Sequence, residues 1–328
     1  MSTAPTQDTQ RARTSRLVPA FGLAVALVGV FAPLLANDLP LVARVGDRWA
    51  FPAFADWLGR ATAGPNDLSW KQWWSRLPAG SEDFAIMPPW PYGPAETNPA
   101  LFRGGPSIAH PLGNDDTGRD VVARLVHGAG TAVRIGGASV AIAAFVGVLL
   151  GAVAGLRRGV ADFTVQRLVE VFLCFPSLLF LLFATAFFGS STVGIVVVMA
   201  SVFWISFARV VRGELLSLCE RDFVLVARGL GVSEWRILSR HLLPQVRSQV
   251  GVTAAFCMAN AITTESTLSF LGLGPGATVA SWGTMLRQGS ELAPLGVWHL
   301  WLFPAVAVVA VIGTCHVLAD GLRRSTPR

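Results

Sequence analysis

The chain alternates long apolar runs with short arginine-bearing segments, and one stretch breaks that rhythm. Runs nearly free of charge extend over Leu17 to Ala36, Ile135 to Leu156, Leu168 to Phe188, Val193 to Val211, Val250 to Leu271 and Val297 to Ala319. Each approaches the roughly 20 residues that a helix needs to cross a hydrocarbon core. The runs are continuous rather than alternating with period two. They therefore predict helices, not the strands of a closed barrel, the other structure that pairs every backbone group in lipid. The expected fold is all-α and integral to the membrane, with six transmembrane helices.

The exception is the stretch 37–130, rich in Trp, Pro, Gly and charge, as in Trp70-Lys71-Gln72-Trp73-Trp74 and Met87-Pro88-Pro89-Trp90-Pro91. It predicts an extramembrane insertion whose prolines oppose long helices. Its tryptophans fit either the membrane surface or a small local core. The first apolar run reads as an uncleaved start helix, because Asn37-Asp38-Leu39-Pro40 lacks the small-residue pattern of a cleavage site.

Composition agrees with a bilayer as solvent: of 328 residues 52% are hydrophobic and 14% charged. The net charge of +6 is carried almost wholly by arginine placed between apolar runs, so it speaks of topology rather than of nucleic acid. Sixteen of the 26 basic residues fall in four segments: Arg11, Arg13 and Arg16; Arg157, Arg158 and Arg167; Arg209, Arg212, Arg221, Arg228, Arg236, Arg240 and Arg247; and Arg323, Arg324 and Arg328. If these are cytoplasmic, both termini lie inside and 37–130 lies outside. The expected organisation is a tail 1–16, a first span 17–36, an outer insertion 37–130, a five-helix core 131–322 with a cytoplasmic loop 213–246, and a tail 323–328. The four cysteines, Cys174, Cys219, Cys257 and Cys315, have no metal-ligand spacing and read as small apolar residues.

The segment between the fourth and fifth runs, 221–244, is too polar for lipid and too patterned for a slack loop. Val224 to Leu230 suffices for two helical turns, Gly231 suits a C-cap, Ser233 suits the N-cap of a second helix, and Pro244 closes it. The expectation is a rigid helix–turn–helix knob across the cytoplasmic face; an amphipathic helix resting on headgroups is the alternative.

Polar residues inside the runs are the candidates for a translocation path. Glu170 is either functional or paired with Arg167 three residues earlier. Glu265, with Asn260, Thr263 and Thr264, either lines a path or bonds between helices. Pro176 and Pro304 would kink their spans, as gate hinges or as fixed bends. Asp115, Asp116, Arg119 and Asp120 have the spacing of alternating charges on a short surface helix, which explains them without a metal. Lys71 is the only lysine, so no P-loop is present, and neither a metalloprotease motif nor a nucleophile elbow appears. No catalytic or metal site is expected.

Ala227 and Gly231, followed by Arg240-His241-Leu242-Leu243-Pro244, resemble the EAA loop of binding-protein-dependent ABC permeases. His110-Pro111-Leu112-Gly113-Asn114-Asp115-Asp116-Thr117-Gly118-Arg119-Asp120-Val121, Cys174-Phe175-Pro176-Ser177, Leu268 to Gly274 and Ser281-Trp282-Gly283-Thr284-Met285-Leu286 are similar to segments of the C-type permeases of dipeptide and oligopeptide importers. Ala36 to Leu41 with the long insertion resembles the subgroup that imports microcin C and related peptides. The resemblance spans about 111–324. It implies a type I ABC importer permease in the bacterial inner membrane, with Asp222, Phe223, Leu225, Ala227, Arg228, Gly231, Val232, Leu243 and Pro244 contacting the ATPase and Glu170, Pro176, Asn260, Thr264 and Glu265 near the path. It also implies that ATP is hydrolysed by separate ABC ATP-binding subunits, with no cofactor in this chain. The other implied partners are a second related permease, a periplasmic solute-binding protein and membrane lipid. One departure stands out: Leu225 occupies the position of the family's glutamate and Val226 that of its first alanine. Two rival readings are a self-sufficient secondary transporter, which lacks its usual internal repeat, and a membrane-embedded enzyme built on His110, His127 or Glu265, which lie in unlike segments.

Overall fold

The computed structural model describes residues 21–60, 64–65, 68–78, 81–189, 191–276 and 278–324. The tail arginines 11, 13, 16 and 328, and residues 17–20 of the first expected span, lie outside them. The described residues form two compact units: one comprises Ile135–Glu265 with 21–22 and 310–324, the other 23–134 with Ser266–Val309. Among the described residues three helices are long and apolar enough to cross a bilayer: α5 (Val121–Arg157), α8 (Thr192–Leu218) and α13 (His299–Arg324), the last preceded by the short α12 (Trp282–Leu292).

In the second unit, α1 (Phe21–Val30) and α2 (Ala32–Leu35) continue the first apolar run. Gly29 meets Gly130 of α5 at backbone distance, since a Cβ on Gly130 would stand 2.6 Å from the Gly29 carbonyl oxygen. The insertion then forms β1 (Val42–Val45), β2 (Arg48–Ala50), α3 (Pro52–Trp57), α4 (Trp70–Ser75) and β3 (Phe84–Ile86). The strands make an antiparallel sheet in the order β2-β1-β3, with Ala43 opposite both Ala50 and Ala85. These alanines leave room for Trp70 and Trp73, which pack edge to face at 5.8 Å and fill the small core beneath the sheet. The helix presenting those two tryptophans starts at a capping box between Ser69 and Gln72. The tryptophans thus divide: Trp70 and Trp73 form a core, while Trp49, Trp57 and Trp74 are exposed.

The charged run 115–120 is not a surface helix. It is a closed turn in which Asp115 Oδ1 accepts from the backbone N–H groups of Thr117 and Arg119 and from the Thr117 hydroxyl. Its Oδ2 receives Arg119 Nε at 2.7 Å and Arg124 Nη1 at 2.9 Å. Helical spacing and a turn that folds back on itself bring the same i, i+4 pair together, and short acidic side chains that bond to nearby N–H groups favour the turn. Asp120 then starts α5, accepting from the Ala123 N–H at 2.8 Å, and also receives the Trp90 indole N–H. That cap places the start of α5 at Val121, well before Ile135. The first turns carry Arg124, His127 and Arg134, which hide the helix from a search for apolar runs, and they also shorten the insertion expected over 37–130.

In the first unit, Gly147, Gly151 and Gly155 form a stripe along α5 that lets α8 approach closely; a Cβ on Gly151 would stand 2.6 Å from the Ala208 carbonyl oxygen. The third expected span, Leu168 to Phe188, is not one straight helix. It is α6 (Gly159–Leu173) and α7 (Ser177–Phe188), bent by 84° at a break containing Pro176. Proline there has no N–H and its ring excludes the carbonyl four residues back, so the helix ends and restarts. Arg212 of α8 ties down α6 through a two-pronged pair with Asp162, at 2.5 and 2.7 Å. The fifth expected span, except its last residue Leu271, lies within α11 (Leu243–Phe270), long enough to cross but carrying Asn260, Thr263, Thr264, Glu265 and Ser266. By length and composition the described residues thus supply three spans, or four if α6 and α7 together make one.

Candidate functional site

The 221–244 segment forms α9 (Asp222–Gly229), α10 (Glu234–Ile237) and a π-helical turn, Leu238–Leu242, that leads directly into α11. Gly231 has φ +77°. Its N–H donates to Arg228 O and the Val232 N–H to Ala227 O, the paired bonds of a Schellman stop. A Cβ at Gly231 meets no atom within 4 Å, so only backbone strain opposes a side chain. Gly231→Val is accordingly expected to lower the unfolding midpoint slightly, by the roughly 1–2 kcal/mol of a left-handed non-glycine residue, with no clash to worsen it.

Two expectations need correction here. Ser233 occupies the N-cap of α10 with extended backbone, but its hydroxyl makes no capping bond. Pro244 does not close the second helix; it sits in the first turn of α11, after the π turn. The wider turn, in which the Leu243 N–H reaches back to Leu238 O, spares the proline ring its usual collision with the carbonyl four residues earlier.

The knob is built on a buried apolar patch. Val224 is fully buried against a cluster that includes Val211, Leu215, Leu218, Ile237, Leu238 and Leu242, with Ala227, Val232 and Leu243 packed at its edge. Arg228 spans the turn to Glu234 through two bonds, 2.8 and 3.2 Å, which push its guanidinium above its ordinary range and fix α9 against α10. What remains outward is unusually apolar: Phe223, Val226 and Leu230 form a stripe on one face of α9, 41%, 60% and 78% exposed, with Leu225 on its other flank and Trp235 on α10. Of the residues expected at an ATPase contact, Asp222, Phe223, Leu225, Gly231 and Pro244 are exposed, whereas Ala227, Arg228, Val232 and Leu243 are half-buried. Val226 and Leu230 were not singled out by the motif; helical periodicity places them outward once Val224 is known to be buried, and it does not extend to Trp235 on the separate α10.

The candidate path residues separate as well. Asn260, Thr263 and Thr264, at i, i+3 and i+4 on α11, line a cavity of about 400 Å³ together with Ser177, Ser206 and Arg209. Glu265 is buried, turned roughly 100° about the helix from Thr264, and does not line the cavity. Glu170 is exposed and paired with Arg167. Pro176 lies at the break beside the cavity, and Pro304 is inside an unbroken α13.

The sequence match of the chain to known proteins decides what the knob and the cavity serve. The model of the binding-protein-dependent transport system inner membrane component family matches residues 147–325, which include the knob and the cavity. The chain belongs to this family. Among similar proteins, a putative peptide permease of Brucella suis biovar 1 (strain 1330) is 37% identical over 245 residues, 73% of this chain and 81% of the relative. The dipeptide transport system permease protein DppC of Alkalihalophilus pseudofirmus is 34% identical, over 70% and 75% of the two chains. The oligopeptide transport system permease protein OppC of Bacillus subtilis (strain 168) is 35% identical, over 66% and 71%. A crystal structure of the inward-facing MetNI methionine ABC transporter shares the fold, with a TM-score of 0.52 and 17% identity over 62% of this chain and 97% of that one. The protein is thus an inner-membrane permease component with the type I importer fold, and not an enzyme.

Proposed function

We propose that this permease forms half of a peptide-importing path and takes its power stroke from a separate ABC ATP-binding subunit seated on the α9–α10 knob. The observation that carries the reading is the outward apolar face of the knob, Phe223, Val226, Leu230 and Trp235, mounted on a buried anchor. So much exposed apolar surface on so small an element needs a partner. Peptide cargo is supported by the names of the relatives, delivered by a periplasmic solute-binding protein. A second related permease completes the path, because one chain of this size surrounds too little space alone.

In this reading α1 and the polar α11 join α5, the α6–α7 pair, α8 and α13 as six spans in lipid. Both termini are cytoplasmic, residues 37–120 are periplasmic, and nucleotide is bound only by the partner. Leu225 at the family's glutamate position makes the contact more apolar, which suits a groove lined by hydrophobic side chains.

Co-purification of the co-expressed ATP-binding subunit tests the reading. Leu230→Asp places a charge on the exposed stripe without disturbing the buried anchor. Loss of at least tenfold in captured ATPase, with unchanged membrane insertion, is expected; undiminished capture would show that the partner does not read this face.

A further inference from the structure

Arg209 and Arg212 stand one helical turn apart on α8, yet they meet opposite fates. Arg212 is consumed by Asp162. Arg209 is exposed into the 400 Å³ cavity, and among the described residues no carboxylate lies within ion-pair distance of it. The wall around it is otherwise made of neutral polar and apolar groups. Ser206 lies on α8, Asn260, Thr263 and Thr264 form one face of α11, Ser177 opens α7, and leucine, valine and phenylalanine side chains fill the gaps. A cation left without an acidic neighbour, among neutral hydroxyl and amide groups and without a negative group in the lining, is matched to an anion of carboxylate size.

We propose that this cavity is a transit subsite for the C-terminal carboxylate of the peptide, with Arg209 as its charged partner. The proposal rests on the transport reading above. The guanidinium fork donates two parallel bonds to a carboxylate, while the Asn260 amide and the Thr264 hydroxyl supply the remaining donors. The apolar part of the wall leaves room for a side chain of any chemistry, so the subsite reads the feature common to all peptides and ignores the rest. Because Arg209 stays partly solvated, the hold is weak, as a group that must also release its cargo requires. The arginine is thus more than a marker of the cytoplasmic end of its span.

The test uses the complete importer in proteoliposomes: both permeases, the ATP-binding subunits and loaded binding protein at saturation. Arg209→Gln is expected to lower the peptide moved per ATP hydrolysed by about tenfold, and Arg209→Lys to retain most of it. In a Cys174→Ser background, Asn260→Cys is expected to react faster with an anionic than with a cationic methanethiosulfonate, a preference that Arg209→Gln removes. Peptide coupling and reagent preference both unmoved by Arg209→Gln would overturn the subsite while leaving the transport reading intact. Equal loss in the Lys and Gln variants would assign Arg209 a purely structural role and overturn it too. No ATP-dependent uptake by the unaltered importer would overturn the transport reading and the subsite's role with it.

Discussion

Asp115→Ala is expected to destabilise the protein by about 3–5 kcal/mol, the cost of leaving a buried charge without its partner. Arg124 is 2% exposed and Asp115 is its ion-pair partner, so the substitution strands a guanidinium away from water. Arg119, also nearly buried, loses its stronger carboxylate and keeps only Asp116 at 3.7 Å. The backbone N–H groups of Thr117 and Arg119 lose their acceptor at the same stroke. The opposite change is gentler: Arg124→Met leaves Asp115 paired with Arg119 and with both amides. The expected order of thermal midpoints in nanodiscs is therefore wild type, then Arg124→Met, then Asp115→Ala, with a fall on the order of 10 °C for the last. A reversed order of the two variants would mean that Arg124 contributes through packing rather than through charge.

The same cluster sets a pH dependence. Burial alone would raise the Asp115 carboxyl; the guanidiniums of Arg124 and Arg119 and the two amides outweigh it and hold it below its ordinary value of 3.8. A group whose folded value is depressed contributes stability that is present above its unfolded value and lost as pH falls through the folded one. The midpoint difference between wild type and Asp115→Ala should thus be constant above pH 4 or so and shrink below it.

Much of this architecture is legible in the apolar rhythm. Apolar length alone finds α8 and α13, and Gly231 announces the sharp stop between the two helices of the knob. What the rhythm conceals has physical causes. A run from Leu168 to Phe188 is equally apolar whether straight or folded at Pro176, because hydropathy carries no direction. The first turns of α5 are too charged to look like a span, and only the Asp120 cap reveals that they belong to one. Asp115 and Arg119 satisfy helical spacing and turn geometry alike. Arg209 was absorbed into a count of basic residues, since sequence position tells which end of a span an arginine occupies but not which wall it faces. The facing of Val226 and Leu230 follows from knowing that Val224 is the buried residue, which requires the packed partner.

Val224→Asp is expected to abolish both ATPase capture and peptide transport while leaving the membrane helices folded. Val224 is the one fully buried residue of α9, set among Val211, Leu215, Ile237 and Leu242, so the apolar seat of this eight-residue helix rests mainly on one side chain, while the Arg228–Glu234 pair ties it only to α10. An unpaired carboxylate in that apolar site costs several kcal/mol, more than an α9 held by one buried valine gains from docking. The cheaper response is local: α9 lifts away and hydrates the aspartate, while α8 and α11 keep their own contacts. Val224→Ile, of similar shape, should retain capture. Limited proteolysis within 221–233, together with the thermal midpoint of the whole protein, separates local from global failure. New cleavage in that window at a nearly unchanged midpoint is the expected result. A midpoint lowered by as much as in Leu215→Asp would instead make α9 an inseparable part of the core, and a stroke delivered to it would then be transmitted by the whole first unit rather than by a docked lever.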